Sequence, residues 1–449
     1  MKPLRIGIVG GGWAGLAAAV CATEAGHHVT VLETARQWGG RARTLHTAHG
    51  AGLDNGQHIL IGAYTATLGL MQRLGVDVTA AFHTVPLALR FADGGGLAVP
   101  TWAARWPTPL DVLAAITTAR GWSWRDKLAL LRTTARWQRQ GFACAPDHTV
   151  AQLCAGLPPR VVAELLEPLC LSALNTPLDR ASASVFLRVL QDAMFGPGFG
   201  GWRGANLLLP KLDMGALLPQ PAAHWLQRRG ADLRLGQRVH TLSPHPQTAH
   251  VIGTGWTLNG EPFDHVILAC PAWEAARLLQ PHLRLHSGIA LWHAQAHALR
   301  HEAIATIYTQ APPGTRWPGS SPILALRSGT NAPAQFVFDR GQLGGPAGQW
   351  AFVASACSAD KTTLESQTLT QAAQQLGTPT LKLLQTVVEK RATFACTPGL
   401  QRPGLHIAPS LWAAGDHIDG PYPATLEGAV RSGQQAVNTL LQPTTHHAG

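Results

Sequence analysis

The hydrophobic positions of this chain fall first into a short unbroken run and then into helical spacing. Arg5 to Val9 reads as an apolar strand and Leu16 to Ala25 as an alanine-rich helix. Gly26 breaks the helix, and Val29 to Leu32 forms a second, β-branched strand closing on Glu33. Helical periodicity returns over Tyr64 to Leu74. It returns again over Arg125 to Gln140, with Leu128, Leu131 and Ala135 along one side. Residues 86 to about 200 leave the strand–helix alternation. A helix over Pro221 to Arg229, followed by Ala231 to Val239, resumes it, and Phe263 to Pro271 reads as a buried strand and turn. Ile304 to Tyr308 reads as strand and Thr370 to Leu384 as helix. A strand from Leu411 runs into Gly415-Asp416, a loop covers His417 to Tyr422, and a helix begins within Pro423 to Gly433.

The first of these patterns carries chemistry in its turn, Gly10-Gly11-Gly12-Trp13-Ala14-Gly15. Gly10 permits a tight turn, Gly12 lets backbone approach a pyrophosphate, and Gly15 packs the helix against the sheet. Phosphates would sit on the helix N-terminus, where unpaired N–H groups favour anions. Glu33 stands where a carboxylate can accept from both hydroxyls of an adenosine ribose. Downstream, Gly39-Gly40 can approach a diphosphate, and Arg41 adds a fixed fork of donors.

With 449 residues, 46% hydrophobic and 13% charged, the chain exceeds one ordinary core, so two domains are expected. Its seven scattered cysteines form no CxxC, which argues against a disulfide framework or a zinc site and favours a reducing cytosol. Lys2 and Arg5 before an alanine-rich stretch mimic a secretion signal, but the phosphate turn accounts for the same residues. No run reaches the ~18 apolar residues that span a bilayer. The net charge of +10 suits nucleic acid, anionic lipid or an anionic substrate, and no nucleic-acid-binding signature accompanies it. Much of that charge lies in Thr101 to Phe142, where five tryptophans and seven basic residues stand against two acids. Trp with Arg beside leucines is the composition of a helix in a membrane interface. It equally describes a basic surface helix facing its own core. His293, His297 and His301 have helical metal-site spacing, but the strand beginning near Ile304 places the helix end before His301, so no metal is expected.

Gly39-Gly40-Arg41-Ala42-Arg43-Thr44 resembles the GG-R-x-x-T stretch of the amine oxidase and carotenoid desaturase flavoproteins, which implies FAD. The loop Asp54-Asn55-Gly56-Gln57-His58 and its apolar tail, the LNTP and VFLRVL strings, and Leu207 to Pro219 resemble the hydroxysqualene dehydroxylase branch. The resemblance implies an α/β fold: a Rossmann-like FAD-binding domain assembled from separated segments (1–85, 205–288 and 386–449). An α+β substrate domain (86–204 and 289–385) is inserted. It also implies that Gly56 and Gln57 lie by the flavin, that Val239 holds the adenine through its backbone, and that Asp416 bonds the ribityl or pyrophosphate portion. Leu426, at the next helix start, would face the flavin N1/C2=O edge.

The activity so implied is reductive loss of the allylic hydroxyl of hydroxysqualene, in squalene and hopanoid synthesis. Its partners would be that isoprenoid, an anionic membrane met peripherally from the cytoplasmic face, and other squalene-pathway enzymes. A phytoene-type desaturase and a non-catalytic flavin-bound partner are the alternatives. The departing hydroxyl needs a proton donor, and the loops expected near the flavin offer His58 first, Asp419 second, then Tyr422 and Asp54. Asp54 could instead cap a turn.

Overall fold

The computed structural model describes residues 2–45, 52–106, 110–245, 255–378 and 380–442. Residues 443–449 of the expected last FAD-domain segment lie outside the described residues. At the centre is a six-stranded sheet gathered from distant stretches of the chain. In spatial order its strands are Asp232–Leu235, His28–Glu33, Arg5–Val9, His265–Leu268, Leu411–Ala413 and His406–Ala408. Neighbours pair parallel except the last two, which are antiparallel. A parallel sheet covered on both faces needs continuously apolar strands, and Ile6, Ile8, Val31, Val266 and Ile267 are all fully buried.

Helix Trp13–Glu24 follows the first strand and packs along the C-terminal helix Leu426–Leu440. Their backbones touch: a methyl on Gly433 would overlap the Ala14 carbonyl. The C-terminal helix also receives helix Thr65–Arg73, whose first N–H groups end on Glu427. This fully buried carboxylate accepts from Ala66 N (3.0 Å), Thr67 N (2.9 Å) and Thr67 Oγ1 (2.7 Å), with Arg431 Nε at 2.7 Å. Glu427 thus caps a neighbouring helix rather than serving its own helix start.

The second sheet has five antiparallel strands in the order Ile323–Ala325, Phe336–Asp339, Gln349–Ser355, His301–Gln310 and Lys382–Phe394. The architecture therefore matches the expectation, a Rossmann-like α/β sheet built from separated segments with an inserted α+β region. The expected helix over 370–384 is corrected. The helix is Lys361–Leu376, ended by Gly377 in the left-handed conformation (φ 66°). Lys382 onward is strand, because Thr386, Val387 and Val388 favour it and His301–Gln310 offers an unpaired edge. That strand crosses the expected domain boundary at 385/386 and stays in the second sheet throughout. Helix Ser287–Ala298 stops before His301, which begins a strand.

Helix Trp124–Arg139 forms with a Ser123/Asp126 capping box and buries Lys127, Leu130 and Trp137. Of the expected apolar side, Leu131 packs partly against the core while Leu128 is exposed. Trp122 is buried as well, donating Nε1–H to Glu164 (2.8 Å). Among the described residues, no helix is long and apolar enough to cross a membrane.

Removing the Glu427 carboxylate should strand the Ala66 and Thr67 donors in the core. Glu427→Ala is expected to cost about 2–4 kcal/mol in urea unfolding. A loss near zero would show that these bonds are replaced.

Candidate functional site

The glycine turn sits between the first strand and its helix. Gly10 has φ 109°, and a side chain there would press on the Ala269 carbonyl. Gly12 is the helix N-cap with no side-chain cap, so the first-turn N–H groups of Trp13, Ala14 and Gly15 face outward without one. A methyl on Gly15 would overlap the Gly10 carbonyl, so its hydrogen is what lets the helix start so close. Gly12 differs: a methyl there would meet nothing nearer than Gly40 Cα at 3.8 Å. The second glycine pair lies alongside, Gly39 N donating to Gly11 O (2.9 Å) and bridging to Gly12. The space bounded by Gly12 and Gly40 is thus lined by backbone alone. The Trp13 ring points away, into the core, with Nε1–H donating to Ala42 O (2.9 Å).

The two ends of the chain meet at this turn. Arg41 Nη2 lies 2.5 Å from Asp416 Oδ1, and Arg41 Nη1 donates to the Ala392 carbonyl of the second sheet. Burial alone would raise the Asp416 pKa. The Arg41 guanidinium, assisted by His417, overrides burial and holds the carboxyl well below the usual carboxylate range. His417 is buried beside it, and its Nε2 finds no hydrogen-bond partner among the described residues. Gly415 N donates to Ser432 Oγ (2.8 Å), fixing the Gly-Asp turn to the last helix. That helix begins at Leu426, with Thr425 Oγ1 accepting from Gly428 N (3.0 Å). Glu33 takes Gly11 N (2.6 Å) and Ala35 N (2.7 Å), placing its carboxylate against the turn. Val239 is buried further along, and its carbonyl already accepts from Arg277 Nη2 (2.8 Å).

The loop from Asp54 to His58 is pinned from the second sheet. Thr306 Oγ1 accepts from Gln57 N (3.3 Å), and Tyr308 Oη donates to Asp54 O (2.9 Å). Arg340 Nη1 donates to Gln57 Oε1 (3.2 Å), while its Nε is anchored on Gln349 Oε1 (2.9 Å). No local pattern announces Thr306, Tyr308 or Arg340, which lie some 250 or more residues from the loop they hold. His58 Nδ1 reaches the Gly56 carbonyl at 2.8 Å. Burial pulls the His58 pKa down, and Arg41 adds to the effect. An imidazole at its ordinary pKa is readily protonated near neutrality, whereas this environment disfavours the protonated ring.

The other three candidate donors occupy different surroundings. Burial pushes Asp54 up to about 6, but Oδ1 accepts from Met214 N (2.9 Å) and Oδ2 faces Arg340 at 4.0 Å. Asp54 therefore caps a helix start, that of Met214–Leu217. Asp419 is 71% exposed and only loosely opposite Arg402, at 3.9 Å. Tyr422 is flanked by the guanidinium groups of Arg431 (5.4 Å) and Arg188 (5.8 Å), and burial raises its pKa.

The family profile described as "Flavin containing amine oxidoreductase" matches residues 13–441. The chain belongs to this family. It is an FAD-dependent oxidoreductase, and the residues present fit the cofactor. The glycine-lined space and uncapped helix end suit a diphosphate, Arg41 supplies a cation, and Glu33 supplies an acceptor. The hydroxysqualene dehydroxylase of Sinorhizobium fredii is 27% identical over 98% of this chain and 99% of its own length. That of Rhodopseudomonas palustris is 28% identical, covering 97% of each. An oxidoreductase from Methanosarcina mazei shares the fold at TM-score 0.71 and 16% identity, over 97% of this chain and 100% of its own.

Two outcomes follow from this geometry. Gly12→Ala should leave the apoprotein's melting temperature nearly unchanged yet abolish FAD retention through gel filtration. Gly15→Ala should lower the melting temperature itself. Equal FAD content in Gly12→Ala and wild type would remove the diphosphate from this space. Asp54, raised from 3.8 to about 6, contributes stability that is fully present below its unfolded pKa and lost as pH rises through about 6. Asp54→Asn should therefore flatten the fall in unfolding free energy between about pH 4 and 6, by up to ~3 kcal/mol. An unchanged slope would refute the burial argument.

Proposed function

We propose that this protein is a hydroxysqualene dehydroxylase, which removes the allylic hydroxyl of hydroxysqualene reductively to give squalene in squalene and hopanoid synthesis. The observation that carries the reading is end-to-end likeness to enzymes of that name, covering 97–99% of both partners. Phytoene desaturases that match along this chain do so at lower identity, 22% for the Solanum lycopersicum enzyme over 98% of this chain and 78% of its own length.

Bound and reduced, FAD would supply the hydride that takes the hydroxyl's place. The chain must protonate the leaving oxygen and exclude water from the allylic cation. His58 is the residue assigned to the proton. With Nδ1–H held by the Gly56 carbonyl, the exchangeable proton resides on Nε2. A depressed pKa makes the protonated ring scarce at neutral pH but a stronger acid when formed. Asp419 is too exposed for that task, and the Asp54 oxygens are already engaged.

Product analysis after incubating purified holoprotein with hydroxysqualene and a chemical reductant tests the activity, and absence of squalene would overturn it. For the donor, turnover by pre-reduced enzyme should rise as pH falls below the ordinary histidine value of 6.5. His58→Gln should keep FAD, lose on the order of 10²-fold in rate and flatten that rise. Asp54→Asn should retain the rise, although its own titration near pH 6 lies close by. A His58→Gln enzyme working at near wild-type rate would exclude the role.

A further inference from the structure

Thirteen large hydrophobic side chains are exposed among the described residues, and six of them fall between Trp102 and Leu128. They are Trp102, Trp106, Leu110, Leu113, Trp124 and Leu128, each between 41% and 68% exposed. Scattered single apolar residues need no explanation, but a concentration of this kind does. The segments that carry them touch one another. Turn Thr101–Ala103 packs on helix Leu110–Thr118, and Lys127 Nζ of helix Trp124–Arg139 donates to Thr117 O at the end of that helix (2.7 Å). Trp102 and Trp106 meet edge to face at 4.9 Å, and Lys127 lies over the Trp124 ring at 5.0 Å. The lysine is buried as a strut, so it keeps the patch in shape without adding charge to its surface.

The outer face of helix Trp124–Arg139 changes character along its length. Trp124 and Leu128 lead, and Arg132, Arg136 and Arg139 follow at helical spacing, all exposed. Arg105 and Arg125 flank the apolar end. None of these five arginines pairs with a carboxylate among the described residues, although ion pairs are frequent elsewhere on the molecule. The two acids of the stretch are withdrawn. Asp111 is buried against Arg203 at 2.5 Å, and Asp126 closes the Ser123 capping box.

We propose that this face docks on the surface of an anionic lipid bilayer, its tryptophans and leucines entering the interface and its arginines resting on the headgroup phosphates. Tryptophan prefers that depth, and unpaired arginines gain most where phosphates are dense. A protein partner would need a matching apolar and acidic surface, whereas a bilayer supplies both features at once. Docking there would bring the enzyme to a substrate with negligible solubility in water. The proposal nevertheless rests on surface geometry rather than on turnover.

The test is co-sedimentation of FAD-loaded protein with phosphatidylcholine vesicles, with and without phosphatidylglycerol. Wild type should bind the anionic vesicles, and added salt should weaken the binding. The variant Arg132→Glu/Arg136→Glu/Arg139→Glu should lose at least on the order of 100-fold in affinity, at roughly fivefold for each arginine removed. Trp124→Ala/Leu128→Ala should lose about tenfold, including at high salt. Reversing an equal number of charges elsewhere, in Arg228→Glu/Arg284→Glu/Lys390→Glu, should cost far less. Failure of wild type to bind, or equal binding by either patch variant, overturns the proposal. So does an equal loss in the control, or a solution dimer that Trp124→Ala/Leu128→Ala dissolves. Turnover of detergent-dispersed hydroxysqualene by the non-binding variants would separate docking from activity: each can fail while the other stands.

Discussion

A single guanidinium joins three regions of this molecule. Arg41 follows the N-terminal nucleotide unit, pairs with Asp416 some 375 residues later, and donates to a carbonyl of the second sheet. Asp416 is buried deeply enough that its charge would be costly without that partner. A buried carboxylate and a half-exposed arginine thus hold the chain's two flavoprotein signatures in register. Fold and cofactor site depend on the same contact, so local damage at either end of the chain reaches both.

The second constraint is the clasp on the Asp54–His58 loop. Loops that carry chemistry are held by scaffolds, and here the scaffold is a sheet from the other half of the molecule. Thr306 and Tyr308 lie two apart on one strand and so face the same side, where they meet the loop's backbone. Arg340 comes from just beyond strand Phe336–Asp339 of the same sheet and reaches the side chain of Gln57. Relative movement of the two halves would therefore move His58 directly.

What the sequence made legible was local. The turn, helix and acid of residues 5–33 follow one another within reach of simple rules, and the Gly415-Asp416 turn sits between a strand and a helix. What remained hidden depended on partners far along the chain. Glu427 stands in the first turn of its own helix, where an acid favours the dipole, and nothing local shows that Thr65–Arg73 ends on it. Residues 370–384 carried helix-forming composition past Gly377, and only the open edge of His301–Gln310 explains the strand that follows. The leucine spacing of 124–139 was real, but it did not show that Leu131 would pack on the core while Leu128 stayed exposed. The five tryptophans of that region divide into two inside and three outside, which composition alone could not sort.

Burial acts on His58 and Asp54 in the same physical direction, against charge, and so moves their pKa values oppositely. His58 is held toward neutral imidazole and Asp54 toward neutral carboxylic acid. For the proposed reaction this matters more than either value alone. An acid that stayed cationic would repel the allylic cation it helps to create. One that gives up its charge with its proton does not. A pocket that resists a standing positive charge on His58 lets the proton arrive, transfer and leave a neutral ring behind. Asp54, meanwhile, is kept by Met214 and Arg340 within the wall.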